Sequence, residues 1–206
     1  MADDAPQLYL VTPPQFDPDP FSQTLAGLLD AQPVACVRLA LATRDEETLM
    51  RAADALRGVT EPHDVALVIA DHWKIAERAG LDGVHLGDGS RNVRKARADL
   101  GADAIVGAWC ATSRHDGMTA GEAGADYIAF GPVGGPTLGE DARAEDELFQ
   151  WWSEIVELPV IAEGGLDEAA LSRLATITDF VALGEELWSA PDPLRRLAEL
   201  TAALHG

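Results

Sequence analysis

A short pattern recurs along the 206-residue chain and restricts its fold more than any other feature. Residues 79–87 read Ala-Gly-Leu-Asp-Gly-Val-His-Leu-Gly, and residues 123–131 read Ala-Gly-Ala-Asp-Tyr-Ile-Ala-Phe-Gly. The second half returns at 178–184 as Thr-Asp-Phe-Val-Ala-Leu-Gly, and Gly101-Ala-Asp-Ala-Ile-Val-Gly fits too. Each copy has one physical parse. The opening Gly ends a helix in the left-handed conformation, and the Asp sits in a short turn. Three or four apolar residues then form a buried strand, which a second Gly closes. Strands apolar on both faces belong in a parallel sheet covered by helices.

The rest of the chain alternates in the same way. Strands are expected at 8–11, 34–39, 65–69, 83–86, 104–108, 127–130, 160–163 and 180–183. Helical faces lie between them: Phe21, Leu25, Leu28 and Leu29; Leu49, Ala52, Ala53 and Leu56; and Leu194, Leu197, Ala198 and Leu204. Asp45, Asp167 and Asp192 stand where they would cap a following helix, the last with Pro193 in the first turn. Eight strands and eight helices at about 26 residues per unit give a compact single (β/α)8 TIM barrel spanning 1–206. A doubly wound open sheet remains the alternative, because a sequence pattern does not show closure. The longest irregular stretch, 131–143, follows the sixth strand.

Charge narrows the function. Thirty-five acids face fifteen bases, a formal net charge of −20, and Lys74 and Lys95 are the only lysines. Such a field repels nucleic-acid backbones and anionic lipid, so neither is expected as a partner. The expected partner is a small-molecule ligand, with self-association into a homo-oligomer left open. No apolar run approaches the length of a membrane span, and the acidic start lacks a signal peptide's basic and apolar regions, so a soluble cytoplasmic protein is expected. Cys36 and Cys110 have no disulfide or zinc-ligand spacing.

In a barrel, chemistry sits at the carboxyl ends of the strands. Those ends carry Thr12, Arg38, Asp71-His72, Gly87-Asp88, Trp109-Cys110, Gly131-Pro132, Glu163-Gly164-Gly165 and Gly184-Glu185-Glu186. Gly164, Gly165 and Gly184 occupy loops that hold a phosphate on backbone N–H groups in many barrels, although a glycine pair also serves a plain turn. His85, in mid-strand, reads first as a hydrogen-bonded structural histidine. His72 and His115 read as solvated loop residues, and Cys110 as an inert buried thiol. Trp151-Trp152 can bury only one indole easily, which leaves the other for a partner surface; the alternative is that both pack over a wide groove. Asp71, Asp88, Glu163, Glu185 and Glu186 are expected at one end of the barrel, where they suit a divalent cation or a cationic ligand. The alternative is that several face water.

The order of these motifs resembles the thiamine phosphate synthase and thiazole tautomerase superfamily over nearly the whole chain. The resembling residues are Leu8-Tyr-Leu-Val-Thr12, Val37-Arg38-Leu39, Asp71, Gly83-Val-His-Leu-Gly87, Gly124-Ala-Asp-Tyr-Ile-Ala-Phe-Gly-Pro132, Pro136-Thr137 and Gly164-Gly165. The resemblance implies coupling of an aminopyrimidine diphosphate to a thiazole phosphate, with Mg2+ and release of pyrophosphate. It places Arg38 as the catalytic residue facing the diphosphate and Asp71 on Mg2+, with Asp88 a second ligand only if its loop is redrawn. Gly164, Gly165 and Gly184 would cradle the thiazole phosphate, with Thr137 nearby.

The chain departs from the family where the reaction needs charge. The family lysine after the second-strand Arg is absent from Arg38-Leu-Ala-Leu-Ala, and the one after Pro-Thr is replaced by acids. Ala70 stands for an Asn, Ser90 for the second metal-ligating Asp, and Trp109 for a small Ser. Glu163, Glu185 and Glu186 enter the phosphate loops, where a carboxylate opposes a phosphate dianion by a few kcal/mol at about 4–6 Å. Pro132 stands where the tautomerases carry their acting His. Three readings follow: a divergent thiamine phosphate synthase with an eroded site, a non-catalytic ligand-binding barrel, or a metal-dependent enzyme with a less anionic substrate.

Overall fold

The computed structural model describes residues 5–135 and 143–205, and Thr137 lies outside them. Eight parallel strands close into a barrel in sequence order: β1 (Gln7–Val11), β2 (Val34–Leu39), β3 (Ala66–Ala70), β4 (Gly83–Leu86), β5 (Ile105–Trp109), β6 (Tyr127–Phe130), β7 (Val160–Glu163) and β8 (Phe180–Leu183). Closure settles the choice against an open sheet, because β1 pairs with both β2 and β8. Five of the eight expected strands match their observed bounds. β1 starts one residue early, and β3 and β5 each sit one residue later than expected.

The helices wrap the barrel: α1 (Pro18–Ala31), α2 (Glu46–Thr60), α3 (Trp73–Ala79), α4 (Val93–Leu100), α5 (Arg114–Glu122), α6 (Asp146–Ile155), α7 (Glu168–Leu174), α8 (Glu185–Trp188) and α9 (Pro193–Leu204). The count of eight helices missed α8, a single turn too short to carry a periodic apolar face. Asp45, Asp167 and Asp192 cap α2, α7 and α9 as expected, each accepting a backbone N–H of its helix's first turn. Asp17 and Ser113 do the same for α1 and α5.

The faces of α1 and α2 are buried as their spacing demands. The face of α9 is corrected: Leu197, Leu200, Thr201 and Leu204 are buried, while Leu194 and Ala198 are exposed. Each helical residue turns 100°, so Ala198 sits a quarter-turn or more from Leu197 and leaves the packed stripe. Trp152 is fully buried and donates to the Leu158 carbonyl, whereas half-buried Trp151 lies beneath the Arg114 guanidinium at 4.6 Å.

The aspartates of the repeat have a specific task. Asp82, Asp126 and Asp179 precede β4, β6 and β8, and their carboxylates accept the N–H groups of Leu67, Val106 and Val160 at 2.6, 2.7 and 2.8 Å. Each aspartate's own N–H donates to the carbonyl of that same residue. Three even strands are thus stapled to their odd neighbours at the amino end of the barrel. That fixes the register at the end opposite the expected site.

Candidate active site at the barrel mouth

Strand alternation sends Tyr9, Cys36, Val68, Tyr127, Ala129, Ile161 and Ala182 into the barrel's interior. The apolar residues of the other face meet the helices. Tyr127 crosses the interior because β5 places Gly107 beside it, where a Cβ would lie 2.0 Å from the ring. Its hydroxyl hydrogen-bonds Tyr9 at 2.9 Å and His85 Nδ1 at 3.0 Å. Burial, with Arg38 nearby, holds His85 well below the ordinary histidine pKa, so it stays neutral and structural.

Above this layer Arg38 forms an ion pair with Glu163 across the barrel. Burial alone would weaken the guanidinium's charge, but the Glu163 carboxylate outweighs it and holds Arg38 firmly protonated. One polar atom on each partner, Arg38 Nε and Glu163 Oε2, is buried without a hydrogen bond. A buried pair with unsatisfied atoms is costly to maintain. Its position is therefore informative: the cost is borne at the top of the interior, directly under the mouth.

Two cavities open at the carboxyl ends of the strands. One, of about 500 Å³, is bounded by Val11–Pro14, the β7 glycines Gly164 and Gly165, and Gly184, Glu185 and Glu186 after β8. The β6 loop seals its flank: the Val133 and Gly134 N–H groups both donate to the Gly164 carbonyl at 2.9 Å. Gly165 has φ +69°, and a Cβ there would strike the Gly134 backbone at 2.3 Å, so this turn requires glycine. Within the cavity Glu186 folds back on the main chain. Its carboxylate accepts the Gly184 and Leu166 N–H groups, both at 3.1 Å, while Glu185 is exposed.

The other cavity, of about 350 Å³, lies outside β3 between α2, α3 and α4, lined by Arg44, Asp71, His72, Trp73, Lys74 and Lys95 among others. Asp71 adopts φ +61°, and its Oδ1 accepts the Gly87 N–H at 2.6 Å. Lys95 Nζ sits 5.6 Å above the Trp73 ring.

A family model described as thiamine monophosphate synthase matches residues 8–187. The chain belongs to this family. The thiamine-phosphate synthase of Rhodospirillum centenum is 42% identical over 205 residues, covering 97% of this chain and 98% of that protein. That of Erythrobacter litoralis is 36% identical over 205 residues, covering 96% of each. Among solved structures, thiamine phosphate pyrophosphorylase from Pyrococcus furiosus superposes with a TM-score of 0.83 at 24% identity over 98% of this chain and 96% of that one, a likeness of fold.

For a member of the thiamine monophosphate synthase family, the placement of the expected residues is uneven. Gly164, Gly165 and Gly184 do gather at one cavity. Arg38 is in the interior, paired with Glu163, rather than free at the mouth. Glu163 pairs with Arg38 while still bordering the glycine cup. The five carboxylates expected together are divided: Glu163, Glu185 and Glu186 border one cavity, and Asp71 lines the other. Exposed Asp88 accepts the Asn92 side-chain amide at 2.5 Å. Among the described residues, no three His, Cys, Asp or Glu side chains are grouped to hold a metal.

Among the described residues expected to hold a metal, Asp71 fits Mg2+. It offers an exposed hard-oxygen carboxylate beside a polar cavity, and Mg2+ commonly takes one or two carboxylates and completes its shell with water and substrate phosphate. Cys110 is buried, with its thiol pushed up to about 12 by burial and then by Asp116, which leaves it unreactive. The residue that the motifs did not reveal is Arg44. It lies in the β2–α2 loop, outside any motif, and only the folded chain sets it beside Lys74 and Lys95.

Proposed function

We propose that this protein joins an aminopyrimidine diphosphate to a thiazole phosphate, forming thiamine phosphate and pyrophosphate. The observation that carries the proposal is the match to proteins named thiamine-phosphate synthase over essentially the full chain, the first at 42% identity. The geometry supports the thiazole phosphate half of it by gathering Gly164, Gly165 and Gly184 around one cavity at the carboxyl ends of the strands. In the reaction the bond from the pyrimidine methylene carbon to the diphosphate oxygen breaks. The thiazole nitrogen supplies the electron pair for the new carbon–nitrogen bond, and pyrophosphate leaves with the electrons of the old one.

Each part of the mouth has a task in that scheme. The glycine turns at Gly164, Gly165 and Gly184 orient the thiazole phosphate through backbone N–H groups. To let it in, the Glu186 carboxylate must leave the Gly184 and Leu166 amides it now occupies. Mg2+ held by Asp71 would neutralise charge developing on the departing diphosphate. The Arg38–Glu163 pair lies just beneath, with Glu163 bordering the glycine-lined cavity.

Incubation with both substrates and Mg2+ is expected to yield thiamine phosphate and pyrophosphate in equal amounts. Absence of both products at high protein concentration would defeat the proposal. A second reading, a barrel that binds a thiamine-related ligand without turnover, draws on two observations. Arg38 is neutralised by Glu163, and Glu186 fills backbone donors of the cup. Stabilisation by thiazole phosphate or thiamine phosphate without product would identify that case.

A further inference from the structure

We infer that Glu163 faces the thiazole ring in the glycine-lined cavity and stabilises the positive charge that the ring acquires as the new carbon–nitrogen bond forms. The inference rests on the coupling reaction proposed above and gives a task to a carboxylate that no motif accounts for.

Strand alternation decides where this carboxylate points. Ile161 on β7 faces the barrel's interior, so Glu163, two residues on, faces it too. Val11 on β1 and Ala182 on β8 also pack with the interior residues. Val11, Glu163 and Ala182 are the strand residues that line the cavity of about 500 Å³, so they form its floor, while Gly164, Gly165 and Gly184 stand at its rim. Ala182 lies directly beside Glu163 in the β7–β8 ladder, and its single methyl group leaves room for a ring next to the carboxylate. A ligand whose phosphate reaches the glycine turns therefore rests its ring on this floor.

The ion pair is oriented. The Glu163 side chain keeps 20% of its surface exposed and borders the cavity, whereas Arg38 keeps 7% and does not line it. The pair thus turns its negative end toward the ligand. Arg38 holds one carboxylate oxygen, and the other, Oε2, is buried with no hydrogen-bond partner among the described residues. A thiazole is neutral until its nitrogen gives its electron pair to the methylene carbon, and it carries one positive charge afterwards. Pyrophosphate takes the electrons of the broken carbon–oxygen bond, and no proton moves to Glu163. A fixed carboxylate therefore gains attraction as the transition state is approached, which lowers the barrier more than it aids substrate binding. Arg38 is the positioning residue, since it fixes the carboxylate before the charge develops. For a phosphate held at the rim the guanidinium offsets the carboxylate, while a ring on the floor meets the carboxylate first.

The test compares two ligands on the intact protein by calorimetry. One is thiamine phosphate, whose ring is cationic; the other is its isostere with carbon in place of the ring nitrogen, whose ring is neutral. The wild type is expected to bind thiamine phosphate about tenfold more tightly than the isostere, and Glu163→Gln to bind the two about equally. Glu163→Asp, which keeps the charge, should restore part of the preference. Glu154→Gln, which removes one charge from the exposed side of α6, should keep all of it. In steady-state kinetics Glu163→Gln should lower kcat by about tenfold and change the Michaelis constant for thiazole phosphate by less than about twofold. A purely structural role would shift both ligands and both constants together. Equal affinity of the wild type for the two ligands overturns the inference whether or not a variant folds, as does the wild-type preference surviving in folded Glu163→Gln. A preference that depends on Glu163, without thiamine phosphate formation, retains the cation site and rejects the coupling reaction. Product formation by Glu163→Gln with the wild-type kcat rejects the site and retains the reaction.

Discussion

The two sides of the barrel mouth handle charge in opposite ways. At the ends of β7 and β8 the acids turn back onto the protein: Glu163 meets Arg38, and Glu186 caps main-chain N–H groups. At β3 and β4, Arg44, Lys74 and Lys95 stand around a cavity with no ion-pair partner among the described residues. An excess of acids over the whole chain therefore does not make every site acidic. What matters is which charges are already satisfied by their own fold, since a committed carboxylate repels a ligand less than a free one and an uncommitted cation attracts it more.

Four substitutions would break or sharpen this contrast. The largest effect is expected from Glu163→Ala, which strands the buried Arg38 charge. Chemical denaturation should show a loss of about 3 kcal/mol, and an unchanged stability would mean that the pair does not organise the interior. Asp71→Ala should lower kcat/KM for thiamine phosphate formation by about a hundredfold, equivalent to about 2.7 kcal/mol, and should reduce the Mg2+ dependence of pyrophosphate binding. An effect on thiazole phosphate binding instead would show that the two sides are not separate.

Glu186→Ala frees two backbone donors in the cup. The Michaelis constant for thiazole phosphate is expected to fall by about tenfold while pyrophosphate affinity stays the same. A rise in that constant would show that Glu186 assists the ligand rather than competing with it. The smallest effect belongs to Asp179→Ala at the far end of the barrel, about 1 kcal/mol in stability with kinetics unaltered. Thermal and kinetic measurements on the same preparation separate these outcomes.

Much of the fold was legible in the residues, for a physical reason. Strands buried on both faces, such as Tyr127–Phe130, leave an unbroken apolar signature, and the glycines and aspartates around them mark where turns must fall. Barrel closure was not legible, because it depends on β1 meeting β8, and neither sequence alone states its partner. Nor was α8, a four-residue turn against α9 with Leu187 as its buried residue, too short to show a periodic face.

The site divides along the same line. The glycine cup could be read locally, because its turns need particular residues at particular positions, as at Gly165. The presence of Glu163, Glu185 and Glu186 was equally plain, but not where each carboxylate would point. Only the structure shows Glu163 reaching across the interior and Glu186 bending to its own backbone. Arg44, Lys74 and Lys95 are far apart in sequence and share no motif, so their meeting is a product of barrel geometry alone.

The aspartate staples carry a consequence for how such a chain tolerates change. Asp82, Asp126 and Asp179 lock strand to strand at the amino end, a full strand length from every residue of the mouth. Substitutions at the rim can therefore reverse charge, exchange lysine for acid or reshape a cavity without disturbing the joints that set the barrel's register. The scaffold and its rim answer to separate demands. A lineage can rewrite the lock while the door frame stays square.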